Sequence, residues 1–232
     1  MKNFEKLFKK VGFEISDKDL LREAFTHRSA VNELSNLKFH NERLEFLGDA
    51  VLELFATDFL FNKFPEEPEG VLTSLRSALV KGEHLAEVAA RLDLGDYLIL
   101  SKGEERSGGR DKEYLLANLL EAFIGAIYLN KDFVQCRGFV ENFVLSDVDE
   151  ILASGAHIDA KSEFQEISQS LDKPVTPHYK VLSDEGKDHA KTFVMGAYLG
   201  EVKVGEGTGR SKKEAQVVAA QDALDNRAKW VG

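Results

Sequence analysis

Cysteine is nearly missing from this chain: Cys136 is alone among 232 residues. One thiol excludes an intrachain disulfide framework and a zinc site built on paired cysteines. It suits a reducing cytosol, so a cytoplasmic location is expected. Long apolar runs are missing too. The first ten residues hold none that fits a signal peptide, and no stretch approaches the roughly 20 residues of a membrane helix, so no membrane partner is expected. The six histidines are scattered, none at a metal-pair or triad spacing. No G-x-S-x-G occurs, which leaves a serine–histidine–acid hydrolase unsupported. Cations also fall short: 30 Lys and Arg stand against 40 Asp and Glu, a net charge of -10. Taken whole, that balance argues against a nucleic-acid partner. The deficit is uneven, however. Residues 159–232 hold 11 basic and 12 acidic residues, leaving 19 and 28 to the rest. RNA binding would therefore need local basic patches, and the acidic first part is free to hold metal ions.

Residues 1–150 read as a helical domain. Apolar residues recur at three and four spacing in Leu20, Leu21, Ala24 and Phe25, in Leu44, Leu47, Val51 and Leu52, and in Leu85, Val88, Ala89 and Leu92. Leu119 to Tyr128 predicts a strongly apolar, central helix. Pro65, Pro68 and Gly70 interrupt two helices, and the polar stretch Ser101–Arg110 reads as a loop. Small residues near Ala153–Ala156 mark a linker over 151–158. Residues 159–232 then read as helix, three strands and helix. Thr192–Leu199 alternates by twos, and the last helix spans Ser211 to about Asp225. The order α-β-β-β-α suits an antiparallel sheet with both helices on one face. No long-period repeat or low-complexity tract is present.

The segment Asn41–Leu52 carries the chemistry. On a helix, Glu42, Glu45 and Asp49 fall within about one-sixth of a turn, away from Leu44, Leu47 and Val51. Stacked like charges repel, and a hard cation such as Mg²⁺ relieves that repulsion. Asn118 and Glu121 stand one turn apart on the apolar helix, where an unpaired carboxylate is costly to bury. Converging helices that present Glu45, Asp49, Asn118 and Glu121 would build an oxygen-ligand site of the kind that serves phosphoryl transfer. The spacing fits an ordinary solvated acidic face equally well. His27, in Thr26-His27-Arg28-Ser29, reads as a structural or capping group. In the second domain, Ser211 and Glu214 have capping-box spacing, and Arg210, Lys212 and Lys213 crowd that helix start. Cations there oppose the helix dipole, so a phosphate partner explains them. A solvated basic cap is the other reading.

Asn41-Glu42-Arg43-Leu44-Glu45-Phe46-Leu47-Gly48-Asp49-Ala50-Val51-Leu52 resembles the signature of the ribonuclease III family nearly letter for letter. Thr26–Ser29 upstream and Glu121-Ala122-Phe123-Ile124-Gly125-Ala126 downstream resemble the same family in the right order. Lys161–Glu166, Pro177–Tyr179, Gly186–Lys191 and Gly205–Ala215 are similar to a double-stranded RNA-binding domain. The resemblance covers nearly the whole chain. It implies an α+β multidomain fold, an all-α nuclease domain followed by a small α-β-β-β-α RNA-binding domain. It further implies a homodimer joined through the signature helix. The implied reaction is Mg²⁺-dependent hydrolysis of duplex RNA, with Mn²⁺ able to substitute. It leaves 5′-phosphate and 3′-hydroxyl ends, acts on ribosomal and other structured RNA, and uses no small-molecule cofactor. By position, Glu45, Asp49, Asn118 and Glu121 match metal ligands, with Asp49 and Glu121 the catalytic pair. Glu42 and Glu69 match acidic positions lining the cleft. Phe46 matches an interface aromatic, although an ordinary core residue fits the sequence as well. Gln165, Gln169 and His189 would reach minor grooves, and Arg210, Lys212 and Lys213 would span phosphates.

Two departures stand out. Asn118 occupies a position where the family usually has aspartate, so the site is one negative charge poorer and metal affinity should fall. A natural tolerated variant, an engineered change that traps substrate, and a non-cleaving or weakly active duplex-binding protein all fit. The first is preferred because every other acidic position is intact. Lys187 stands where proline is usual, which should loosen that loop and add a charge. A third class, an acidic helical scaffold without nucleic acid, is disfavoured by the 210–213 patch and the length of the signature.

Overall fold

The computed structural model describes residues 3–31, 33, 39–155, 160–185 and 191–231, and the chain divides into two compact units, Met1–His157 and Ile158–Gly232. The first unit carries α1 (Glu5–Val11), α2 (Lys18–Ala24), α3 (Arg28–Val31), α4 (Glu42–Lys63), α5 (Glu69–Val80), α6 (Gly82–Arg91), α7 (Lys102–Arg106), α8 (Glu113–Asn130), α9 (Phe133–Phe143) and α10 (Val148–Ser154). The second carries α11 (Ala160–Gln169), β1 (His178–Glu185), β2 (Thr192–Leu199), β3 (Val202–Gly209) and α12 (Lys212–Asp225).

The most apolar stretch of the chain becomes the axis of the first unit. A helix apolar on nearly every side has to be buried, and α8 is wrapped by α2, α4, α6 and α9. Leu119, Leu120, Ala122, Phe123, Ile124, Ala126 and Ile127 are shut off from solvent. Phe123 meets Phe25 and Phe139, each at 5.5 Å between ring centroids. Burying each such side chain contributes roughly 1.5–3 kcal/mol, which outweighs the modest helix propensity of phenylalanine and isoleucine.

Two glycines set how α4 meets α8. A Cβ on Gly48 would fall on the backbone carbonyl of Glu121, and one on Gly125 would strike the carbonyl of Leu44. The two helices therefore touch backbone to backbone. The sequence motifs contain both glycines, but their pattern alone does not reveal that they face each other.

The stretch Ser101–Arg110 is not the continuous loop expected from its composition. Ser101 accepts the Glu104 amide at 3.1 Å and caps the short helix α7. Arg110 then pairs with Glu105 (2.7 Å), and Lys112 with Glu104 (2.6 Å). Side-chain capping and ion pairs have overridden the turn-forming glycines. At the end of the unit, α10 continues to Ser154, so the expected linker 151–158 begins inside a helix; Gly155 ends it with φ 69°.

In the second unit the three strands form an antiparallel sheet in the order β1-β2-β3. On β2, Met195 and Ala197 point into the core, with Phe193 and Leu199 packed against it. The alternate glycines of β3, Gly205, Gly207 and Gly209, face α12, where any Cβ would collide with the backbone near Ala215, Ala219 and Ala223. Those alanines are fully buried. Small residues on both sides let α12 lie directly on β3, and α11 packs beside it. Phe164 of α11 meets Trp230 at 5.4 Å, and the Trp230 indole N–H donates to the Ala223 carbonyl (2.7 Å).

Candidate functional site

The close crossing at Gly48 and Gly125 sets one acidic stripe against another. Glu45 and Asp49 flank Gly48 on α4, and Glu121 lies one turn before Gly125 on α8, with its own carbonyl at the crossing. Burial and the charges of Asp49 and Glu45 push the Glu121 carboxyl up to about 7. Glu45 is raised as well, by burial first and then by Glu42 and Asp49, while a side-chain hydrogen bond from Asn118 partly opposes the rise. No lysine or arginine figures among the charges acting on either group. The structure thus brings Glu45, Asp49, Asn118 and Glu121 to one place. Among the described residues, no three His, Cys, Asp or Glu side chains close into a ready cage for an ion.

Glu42 sits a turn earlier, held by Arg28 (3.1 Å) and near His40 (3.7 Å). The segment before it is a braced corner. The buried Thr26 hydroxyl donates to the Arg22 carbonyl (2.6 Å), and the Thr26 carbonyl accepts the Asn41 amide (2.9 Å). His27 Nδ1 lies 2.9 Å from the Ser29 hydroxyl, and that hydroxyl accepts the Ser101 amide (3.1 Å). Burial lowers the pKa of His27. These contacts give it a structural place.

Two residues lie apart from the cluster. Glu69 opens α5, which runs back along α4 so that Arg76 pairs with Glu53 (3.0 Å). Glu69 is therefore near the Lys63 end of α4, about 20 Å down the helix from Asp49 at 1.5 Å per residue. Its carboxylate accepts the Thr73 hydroxyl (2.9 Å). Phe46 is 80% exposed and shares an outward face of α4 with Leu54 (56%) and Phe61 (69%). It is not a core residue of this chain.

In the second unit, Gln165 and Gln169 are exposed on one face of α11. The Ser211 hydroxyl accepts the Glu214 amide (3.1 Å), and the Glu214 carboxylate accepts the Arg210 amide (2.7 Å). This reciprocal cap leaves the side chains of Arg210, Lys212 and Lys213 exposed at the start of α12. Lys212 and Lys191 lie over the Phe193 ring, at 5.9 and 5.5 Å. In the sequence Lys191 only closes the Gly186–Lys191 motif and carries no assigned role; the fold puts it beside Lys212. His189 and Lys187 lie outside the described residues.

Comparison with known proteins agrees with this arrangement. A family model described as ribonuclease-III-like matches residues 17–148, and one described as a double-stranded RNA binding motif matches residues 160–227. Ribonuclease 3 of Desulforamulus reducens is 45% identical over 220 residues, 94% of this chain and 88% of that one. Ribonuclease 3 of Listeria monocytogenes is 42% identical over 230 residues, 97% of this chain and 98% of that one. The crystal structure of the nuclease domain of ribonuclease III from Campylobacter jejuni, at 42% identity and TM-score 0.58, covers 63% of this chain and 97% of its own. This chain belongs to the ribonuclease III family.

Proposed function

We propose that this chain is an endoribonuclease that cuts double-stranded RNA by hydrolysis at the centre formed by Glu45, Asp49, Asn118 and Glu121. The observation that carries this reading is the Glu121 carboxyl, pushed to about 7 by burial beside Asp49 and Glu45. Such crowding without a cation is the mark of a site made for one. An all-oxygen donor set on two helices fits Mg²⁺, with Mn²⁺ as a substitute. When bound, the metal would polarise the phosphodiester and lower the pKa of coordinated water. The protein's own residues do the rest. The Asn118 amide orients the Glu45 carboxylate. Asp49 and Glu121, on different helices, hold their charges on either side of the crossing. Hydrolysis then leaves 5′-phosphate and 3′-hydroxyl ends.

The second unit supplies the grip. Gln165, Gln169 and His189 serve minor grooves, and Arg210, Lys212 and Lys213 the phosphates between, over about 16 base pairs. Glu42 lines the cleft beside this centre, whereas Glu69, at the Lys63 end of α4, does not reach it within one chain. The exposed Phe46, Leu54 and Phe61 face of α4 supports a homodimer, since an apolar stripe of this kind calls for a partner. We place the protein in the cytoplasm, processing ribosomal and other structured RNA. A duplex-binding protein that does not cut is the second reading, favoured by the missing charge at Asn118.

The test is cleavage of a long labelled RNA duplex in Mg²⁺ by the chain as it stands, by Asn118→Asp and by Glu121→Gln. Cutting that Glu121→Gln abolishes supports the nuclease. Binding without cutting by every form, Asn118→Asp included, sinks the catalytic assignment.

A further inference from the structure

We propose that Arg28 is a phosphate-binding residue of the first unit, its guanidinium aimed by Glu42 at the RNA strand that enters the acidic centre. The proposal rests on the reading that duplex RNA is bound there. Three observations lead to it.

The first is the contrast between a pinned backbone and an exposed side chain. Arg28 stands in the corner braced by Thr26, His27 and Ser29. Its neighbour's amide donates to the Ile99 carbonyl (3.0 Å), and the Ile99 amide donates to the Phe25 carbonyl (2.7 Å). Yet the Arg28 side chain is 69% exposed. A rigid backbone that presents an exposed polar group is how binding residues are held. The second is the chemistry of the contact. Arg28 Nη1 meets Glu42 Oε1 at 3.1 Å. A guanidinium has five donors in a planar fork suited to phosphate oxygens, so one carboxylate contact leaves most of the fork for RNA. An ion pair this exposed adds little to stability.

The third is electrostatic. A phosphate approaching Glu42, Glu45, Asp49 and Glu121 meets like charge. Glu42 has no direct means of attracting it, being an anion itself. Paired with Arg28, it instead holds a cation at the lip of the cluster. Glu42 is then a positioning residue that acts through Arg28.

The experiment measures binding of a labelled RNA duplex to the full chain without divalent cations, over a range of KCl concentrations. Arg28→Ala is expected to weaken binding about ten-fold and to flatten the plot of log affinity against log salt by about 0.9, one phosphate contact. Arg28→Lys should keep the slope and recover part of the affinity. Glu42→Gln should weaken binding less than Arg28→Ala, and adding it to Arg28→Ala should change nothing further. Arg28→Gln serves if the alanine variant fails to fold. Unchanged affinity and slope in the folded arginine variants overturn the proposal while leaving the nuclease reading intact. Glu42→Gln that tightens binding with Arg28 absent overturns the aiming role, because Glu42 would then only repel. A parent chain that binds no duplex overturns both readings.

Discussion

At neutral pH the Glu121 carboxyl is close to half protonated, because burial and two neighbouring carboxylates hold it at about 7. The unfolded chain would release that proton near 4.5. The folded state therefore binds more protons between those values. This group's full contribution to stability is present below about pH 4.5 and is lost as pH rises through 7. Metal-free Glu121→Gln should match the parent near pH 4.5 and exceed it at pH 8, by up to roughly 3 kcal/mol. Thermal melts at the two pH values check this; a constant difference would show that the crowding is absent. Asn118→Asp moves the other way. It replaces an amide that donates to Glu45 with a fourth like charge, so the metal-free melting temperature should fall and its rise on adding Mg²⁺ should grow.

At the scale of elements, the crossing of α4 and α8 decides whether there is a site at all. Gly125→Ala would force a methyl into the Leu44 carbonyl. The expected loss is about 1–3 kcal/mol or more, with cleavage falling because Glu121 moves away from Asp49. Gly138 lies within α9, and a Cβ there meets nothing within 4 Å. Gly138→Ala should stabilise the chain by roughly 0.5–1 kcal/mol through helix propensity alone. Chemical denaturation of the two variants separates packing from propensity. The same reasoning applies to β3. A Cβ on Gly207 would strike the α12 backbone at Ala219 and Ala215, so Gly207→Val should abolish duplex binding while the first unit keeps its helical melt.

At the scale of the whole molecule, the outward face of α4 predicts self-association. Replacing Phe46 and Phe61 with glutamate should shift the sedimentation coefficient from dimer to monomer with little change in helical circular dichroism. A species whose mass does not change would sink the homodimer. Much of this protein was legible in its residues. The apolar run of α8, the three-and-four spacing of the helices and the two-residue alternation of β2 follow from local periodicity, and the acidic stripe follows from helical geometry. The family, too, could be named from contiguous motifs. Tertiary structure decided what spacing leaves open. Helix spacing placed Glu42, Glu45 and Asp49 on one face but fits a solvated face as well as a metal site. Only the backbone contact of Gly48 with Glu121 sets that face against α8. Sequence alone left Phe46 between core and interface, and the packing of α4 turned it outward. Periodicity records which residues share a side of one helix. Which side another helix covers, and what pKa the trapped carboxyl then takes, depends on groups distant in sequence that meet only when the chain has folded.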